Sequence, residues 1–157
     1  MPDRHEYRRL LAVVGLDRSD ATVIRRALAL AQSTEATLAL LHIVEPDVSG
    51  DGGYPGPSPR QNAAAYEAEG LRRLTFQAAA HGAGAAECHA RHGELRASLA
   101  QFAHTWGADL VIAENDLAER LGKGPWDVLA IRGGPGIRGG RRLGLWQRLC
   151  GLAIGQT

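Results

Sequence analysis

The stretch Leu10-Leu-Ala-Val-Val-Gly-Leu-Asp17-Arg-Ser19 decides the fold of this chain. Five apolar residues run together and end at Gly15. A short uninterrupted apolar run bounded by a glycine predicts a strand buried on both faces, as in the middle of a parallel sheet. In an open α/β sheet, ligands bind beyond the carboxyl ends of the strands, near the point where strand order reverses. Asp17 is therefore predicted to contact a ligand there. Alternatively, Asp17 and Ser19 cap the next helix, and one residue can have both roles.

Strand and helix patterns alternate along the rest of the chain. After a strand over 10–16, the predicted elements are a helix over 20–33, a strand over 37–44, a helix over 62–81, a strand over 87–92, a helix over 95–106, a strand over 108–113, a short helix over 116–121 and a strand over 128–131. This alternation predicts a parallel sheet with right-handed crossovers and helices on both faces. The strand over 87–92 is short and polar, which favours a position at a sheet edge.

Composition narrows the class of protein. A chain of 157 residues with a net charge of +1 predicts one domain and argues against a general nucleic-acid binder. Two cysteines form no disulfide framework and favour a reducing compartment. The first residues have no apolar segment typical of a signal peptide, and no apolar run approaches the ~20 residues of a membrane span. We therefore expect a cytoplasmic protein.

Charge divides the chain into a body and a tail. All 17 acidic residues lie at or before Asp127, whereas the segment from Arg132 to Thr157 has five arginines and no acid. We predict a domain over 1–132 and a basic, glycine- and arginine-rich tail over 133–157. Leucines and Trp146 among the arginines permit an interfacial helix on an anionic membrane, or packing against a partner subunit. The five glycines from Gly139 to Gly155, each costing a helix ~1 kcal/mol relative to alanine, favour a poorly ordered end instead.

Two further patterns are poor candidates for sites. Gly134-Pro-Gly136-Ile-Arg-Gly139 matches the dinucleotide-binding glycine pattern, but neither a strand nor an acid follows it, which favours a linker. Four metal-ligand residue types also cluster in sequence: His81, Cys88, His89 and His92. Their spacing fits no zinc pattern, and a strand places Cys88 and His92 on one face and His89 on the other. No metal site is predicted.

Four motifs in order resemble the universal stress protein family, in particular its short UspA-like branch. They are Val14-Gly-Leu-Asp17-Arg-Ser19, Leu40-Leu-His-Ile-Val44, Gly93-Glu-Leu continuing to Gly107-Ala-Asp-Leu-Val-Ile112, and Asp127-Val-Leu-Ala-Ile-Arg132. The resemblance covers about residues 8–132. It implies a Rossmann-like, open five-stranded parallel sheet of order 3-2-1-4-5 and a role in stress survival. It also implies a homodimer that pairs through the last strand, at Val128, Leu129, Ala130 and Ile131.

The chain departs from this family at the nucleotide site. The nucleotide-binding branch follows strand four with Gly-x2-Gly-x9-Gly-Ser/Thr, whose backbone N–H groups surround phosphates. Here Glu114 and Asp116 occupy that region and have the wrong charge for an anion site. The resemblance implies adenosine contacts at Asp17 and Ile43, while Gly122-Lys123-Gly124 could partly replace the phosphate loop.

These observations predict a non-enzymatic, homodimeric interaction module of the stress response that binds no cofactor, with protein partners left open. Neither a serine-nucleophile elbow nor a cysteine catalytic motif is present. The alternative is a universal stress protein that binds ATP or AMP and has a signalling or weak ATPase role. Its site would be Asp17, Ile43, Gly122, Lys123 and Gly124. A third hypothesis is an adaptor protein that associates with a membrane through the tail.

Overall fold

The computed structural model describes residues 6–17, 20–46 and 59–133, and the side chains of 59–61 are left out. Its elements are β1 (Arg9–Val13), α1 (Asp20–Thr34), β2 (Thr37–Val44), α2 (Pro59–Ala80), β3 (Glu87–His92), α3 (Leu95–Trp106), β4 (Leu110–Glu114), α4 (Asn115–Leu121) and β5 (Asp127–Ile131). Residues 134–157 of the predicted tail lie outside the described residues, as does most of the segment between the predicted strand over 37–44 and the predicted helix over 62–81. The domain boundary therefore stays a prediction.

The five strands form one parallel sheet in the order β3-β2-β1-β4-β5. This confirms both the fold class and the strand order that the family resemblance implied. β1 lies in the middle, where Leu10 pairs with Leu38 of β2 and with Leu110 of β4. β3 is at one edge, as its polar sequence predicted, and β5 is at the other.

Alternating side chains of β1 point into two separate hydrophobic cores. On one face, Leu10 and Ala12 pack with buried residues of α1 and α2. On the other face, Leu11 and Val13 pack with buried residues of α3 and with Leu121 of α4. Leu10, Leu11 and Ala12 are fully buried, which is what a strand covered by helices on both sides requires.

The beginnings of β1 and β4 are joined by one carboxylate. Asp109 accepts hydrogen bonds from the backbone N–H groups of Arg8, at 2.9 Å, and Arg9, at 3.0 Å. The backbone N–H of Asp109 donates to the carbonyl oxygen of Arg9 at 3.1 Å. Residues about a hundred positions apart therefore fix the relative position of the two central strands.

Several element boundaries differ from the sequence prediction, and three of the differences lie near the candidate ligand-binding end of the sheet or exceed two residues. β1 ends at Val13 instead of Leu16, since Leu16 has a φ of 62°, which no strand accommodates. α2 begins at Pro59, three residues early, because proline suits the first turn of a helix. β4 passes directly into α4 at Asn115, one residue before the predicted start.

No helix in the described ranges is long and apolar enough to cross a membrane.

Deleting residues 137–157 should leave the domain folded. The described strands and both hydrophobic cores lie within residues 6–131, so the deletion removes no residue that the structure places in them. We expect the thermal midpoint, followed by circular dichroism, to stay within a few degrees of that of the full chain, a change of at most about 1 kcal/mol. A truncated chain that is unfolded at 25 °C would show that the tail belongs to the domain.

Candidate functional site

The reversal of strand order lies between β1 and β4, and a cavity opens there at the carboxyl ends of the strands. Its volume is about 220 Å³. The residues that line it are Val13, Gly15, Asp17, Asp20, Val23, Glu114, Asp116, Leu117 and Arg120. Four of these side chains are carboxylates, so the cavity lies where open α/β sheets bind ligands and is acidic in character.

Two strand-to-helix connections bring these carboxylates together. Between β1 and α1, Leu16 adopts a left-handed conformation, and the N–H of Asp20 donates to the carbonyl oxygen of Asp17 at 3.5 Å. Between β4 and α4 no loop intervenes, and Glu114 caps the helix by accepting from the N–H of Asp116 at 3.0 Å. Both pairs of acids therefore face the same switch point.

Asp20 is the buried carboxylate of the group. Only 2% of its surface is exposed, and among the described residues its Oδ1 atom has no hydrogen-bond partner. Burial, reinforced by the negative charge of Asp17, raises the pKa of Asp20 from 3.8 to about 7, although backbone N–H groups of Leu16, Asp17 and Gly15 oppose the rise. Asp20 therefore exchanges its proton near neutral pH, because ionisation places an uncompensated charge in the protein interior.

Arg120 is the one cation among the described residues that line the cavity. Its Nη2 atom donates to both carboxylate oxygens of Glu45, at 2.6 and 2.5 Å. Its carbonyl oxygen accepts from Nε of Arg96 at 2.7 Å. The positive charge of Arg120 is thus paired with Glu45 at the end of β2, which leaves it a weak counter-charge for the four acids.

A sequence model of the universal stress protein family matches residues 6–115. The chain belongs to this family. Solved universal stress proteins share its fold. The chain is similar to one from Burkholderia pseudomallei, with 23% identity and a TM-score of 0.62 over 82% of this chain and 98% of that one. It is also similar to a universal stress protein in complex with cAMP, with 18% identity and a TM-score of 0.60 over 82% and 99% of the two chains.

A third similar structure is the universal stress protein UspA from Lactobacillus plantarum. The two sequences are 20% identical and the two structures superpose with a TM-score of 0.52, over 80% of this chain and 98% of that one. At these identities the solved structures show the fold alone. No protein with curated annotation matches this chain.

In this universal stress protein, the residues predicted for the nucleotide-binding alternative lie at different places in the fold. Asp17 lines the switch-point cavity, whereas Ile43 is 7% exposed and packs in the core beneath α3. Gly122, Lys123 and Gly124 line a different, mainly apolar cavity of about 490 Å³. α4 carries the chain back along the sheet, so these three residues lie near the amino ends of β4 and β5, away from Asp17.

Asp20 is the residue that sequence reasoning missed. The sequence marked it only as the start of a helix, since an acid in the first turn commonly stabilises a helix through its dipole. Glu114 and Asp116, in contrast, were expected at the end of strand four, and both line the cavity. A signal for Asp20 was its position three residues after Asp17, which returns it to the strand end after one turn.

The histidines and the cysteine of the third strand point to two faces, as the strand period predicted. His89 contacts the ring of Phe102 in α3, with ring centroids 4.8 Å apart. His92 stacks on Tyr66 of α2 at 5.8 Å, and Cys88 packs against the core on that same side of the sheet. In the part of the chain that the structure describes, no group of three or more such residues is placed to hold a metal ion.

The residues predicted for dimerisation lie at the outer edge of the sheet. β5 pairs with β4, from Leu110 opposite Asp127 to Glu114 opposite Ile131, and has no second neighbour among the described strands. Val128, Leu129 and Ala130 are half-buried, whereas Ile131 is 4% exposed. β5 is thus packed into the fold on one side, and the backbone groups of its outer edge pair with no other described strand.

Proposed function

We propose that this universal stress protein is a non-enzymatic stress-response protein that acts as a homodimeric interaction module and does not bind ATP tightly. Its dimer forms through the edge of β5, and its partners are other proteins. The two cysteines and the absence of a general basic surface charge support a cytoplasmic location and a role that does not involve nucleic acid.

The acidic lining of the switch-point cavity carries this proposal. A bound triphosphate would lie beyond the ends of β1 and β4, where the cavity lining includes Glu114 and Asp116. Phosphate sites need backbone N–H donors and positive charge. The lining cation Arg120 is instead paired with Glu45. Like charges in a partly enclosed cavity repel a polyanion, which favours a function other than ATP binding.

The edge position of β5 supports dimerisation. An edge strand presents backbone N–H and C=O groups that can pair with another strand, and two copies of one strand pair readily around a two-fold axis. β5 lies at such an edge, with the half-buried side chains of Val128 and Leu129 beside it. Pairing of two β5 strands would extend one sheet across both subunits.

Ala130→Lys should weaken the dimer. Ala130 is half-buried in β5, and lysine on an edge strand opposes pairing because it places charge at the new interface. In a symmetric dimer the substitution introduces two like charges, so we expect the dissociation constant of the dimer to rise at least about tenfold. Analytical ultracentrifugation at micromolar concentration measures the change.

Ala100→Lys is the matched control. Ala100 is an exposed residue of α3, and the same substitution there should leave the dimer unchanged. Either a monomeric wild-type protein at micromolar concentration or an Ala130→Lys variant with wild-type association would contradict pairing through β5.

One observation favours the adenine-nucleotide alternative as a second candidate. Asp17 lines the switch-point cavity at the end of β1, and a protein of the same fold is known in complex with cAMP. A carboxylate at this position can accept hydrogen bonds from ribose hydroxyls. Under this alternative the protein holds ATP or AMP and acts in signalling or as a weak ATPase.

A further inference from the structure

We propose that the switch-point cavity binds a small alkylammonium group, supplied either by a free diamine or by the lysine side chain of a protein. This inference goes beyond the proposed interaction module and does not depend on dimerisation. It rests on three features of the cavity: a buried carboxylate with one oxygen for which the described residues supply no donor, a cluster of acids and an aliphatic wall.

The acceptor is the carboxylate of Asp20. It lines the cavity, it is 2% exposed, and its Oδ1 atom finds no hydrogen-bond partner in the described part of the chain. A buried carboxylate without a full set of donors is costly, and folded proteins normally provide those donors. An ammonium group has three N–H donors and a positive charge. It can therefore donate a hydrogen bond to Oδ1 and at the same time compensate the negative charge of the Asp20 carboxylate.

The surrounding acids select for a cation. Asp17, Glu114 and Asp116 line the same cavity. Glu114 accepts one hydrogen bond, from the N–H of Asp116, and each carboxylate has the capacity to accept several. The guanidinium group of Arg120 is held by Glu45. Among the described residues that line the cavity, four acids face one arginine, and such an excess of negative charge attracts cations from solution.

The remaining walls favour an organic cation over an inorganic one. Val13, Val23 and Leu117 line the cavity beside the acids, and Val13 and Val23 are each 2% exposed. Aliphatic side chains offer no ligands to a hydrated metal ion, but they pack well against methylene groups. A volume of about 220 Å³ is several times the ~30 Å³ that a water molecule occupies in the liquid, which suits a four-carbon chain.

Isothermal titration of the full chain at pH 8 and low salt tests the proposal with three probes. 1,4-Diaminobutane and Nα-acetyl-lysine methylamide carry the ammonium group, and 1,4-butanediol is a neutral control of similar length. We expect saturable binding of at least one ammonium probe and none of the diol. The tighter of the two ammonium probes identifies whether a free diamine or a lysine side chain is the source.

Two substitutions locate the binding. Asp20→Asn and Asp116→Asn each remove one charge from the cavity and should weaken binding of the ammonium probe about tenfold, as expected for the loss of a charge-assisted hydrogen bond. Glu119→Gln removes the same charge from an exposed position of α4 outside the cavity lining and should change the affinity less than twofold. Asp116 is exposed, so its substitution leaves the core intact and tests the cavity independently of the buried Asp20.

Three results would overturn the inference: no saturable binding of either ammonium probe up to about 10 mM, equal binding of the diol, or equal weakening by Glu119→Gln. ATP is titrated separately. Tight ATP binding would contradict the proposed function, whereas the ammonium probes and their variants decide this inference alone.

Discussion

Asp20→Asn should stabilise the protein at pH 8 and leave its stability nearly unchanged at pH 4. The carboxyl group of Asp20 is 2% exposed, and burial with the nearby charge of Asp17 raises its pKa from 3.8 to about 7. Between these two pH values the folded state keeps a proton that the unfolded state has lost. The free energy of unfolding therefore falls as pH rises through this range, and it falls no further above the pKa of the folded state.

The expected difference follows from the size of the shift. Each pKa unit corresponds to 1.36 kcal/mol, so ionisation of Asp20 lowers the stability of the native state by at most about 4 kcal/mol at pH 8. Asparagine has nearly the same shape and does not titrate, so it removes this cost. Part of the gain is offset, because backbone N–H groups that favour the charged carboxylate bond less strongly to an amide.

Urea unfolding at pH 4, 6 and 8 measures this difference between the variant and the wild type. The exposed acid Glu119 supplies the control, because Glu119→Gln makes the same change of charge at the surface and should shift stability by less than about 0.5 kcal/mol at every pH. A wild-type protein that is more stable than Asp20→Asn at pH 8, or a difference that does not vary with pH, would exclude an elevated pKa at Asp20.

ATP–Mg²⁺ should bind this protein only in the millimolar range or more weakly. A tight site at the switch point needs donors for the phosphates as well as an acid for the ribose. Asp17 is in place for the second requirement. For the first, Glu114 and Asp116 stand where donors are needed, and Gly122-Lys123-Gly124 line another cavity. Losing several charge-assisted hydrogen bonds, each of about 1.5–3 kcal/mol, moves a micromolar affinity to millimolar.

Isothermal titration with ATP–Mg²⁺ measures this affinity, with AMP as the companion ligand that lacks the terminal phosphates. If the acids cause the weakness, Asp116→Asn should strengthen ATP binding more than AMP binding, and Glu119→Gln should affect neither. A low-micromolar dissociation constant for the wild type that is lost in Asp17→Ala would instead establish the nucleotide-binding alternative.

The fold was predictable from the sequence because its signals are local. The apolar run at 10–14 marked the central strand, and the polar strand over 87–92 was recognised as an edge. Where β1 ends was not predictable, because Leu16 is apolar and its positive φ is set by the turn into α1. The strand order itself came from the family resemblance, since spacing along a chain does not specify which strands become neighbours.

The candidate site was predictable only in part, for a physical reason. Asp17, Glu114 and Asp116 follow buried strands directly, so their position at the carboxyl edge of the sheet follows from the strand pattern. Burial of Asp20 depends on how closely α1 packs, which no local pattern records. The location of Gly122–Gly124 depends on α4, whose seven residues return the chain toward the opposite edge.

The hydrogen bonds from the backbone N–H groups of Arg8 and Arg9 to the carboxylate of Asp109 have a consequence for biosynthesis. β1 leaves the ribosome well before β4, one of its two neighbours, which ends only at Glu114. Until then the nascent chain leaves one backbone edge of its central strand unpaired. Pairings between residues so far apart in sequence make folding slow and leave intermediates open to aggregation. The nascent chain is therefore expected to be most open to aggregation before β4 is complete.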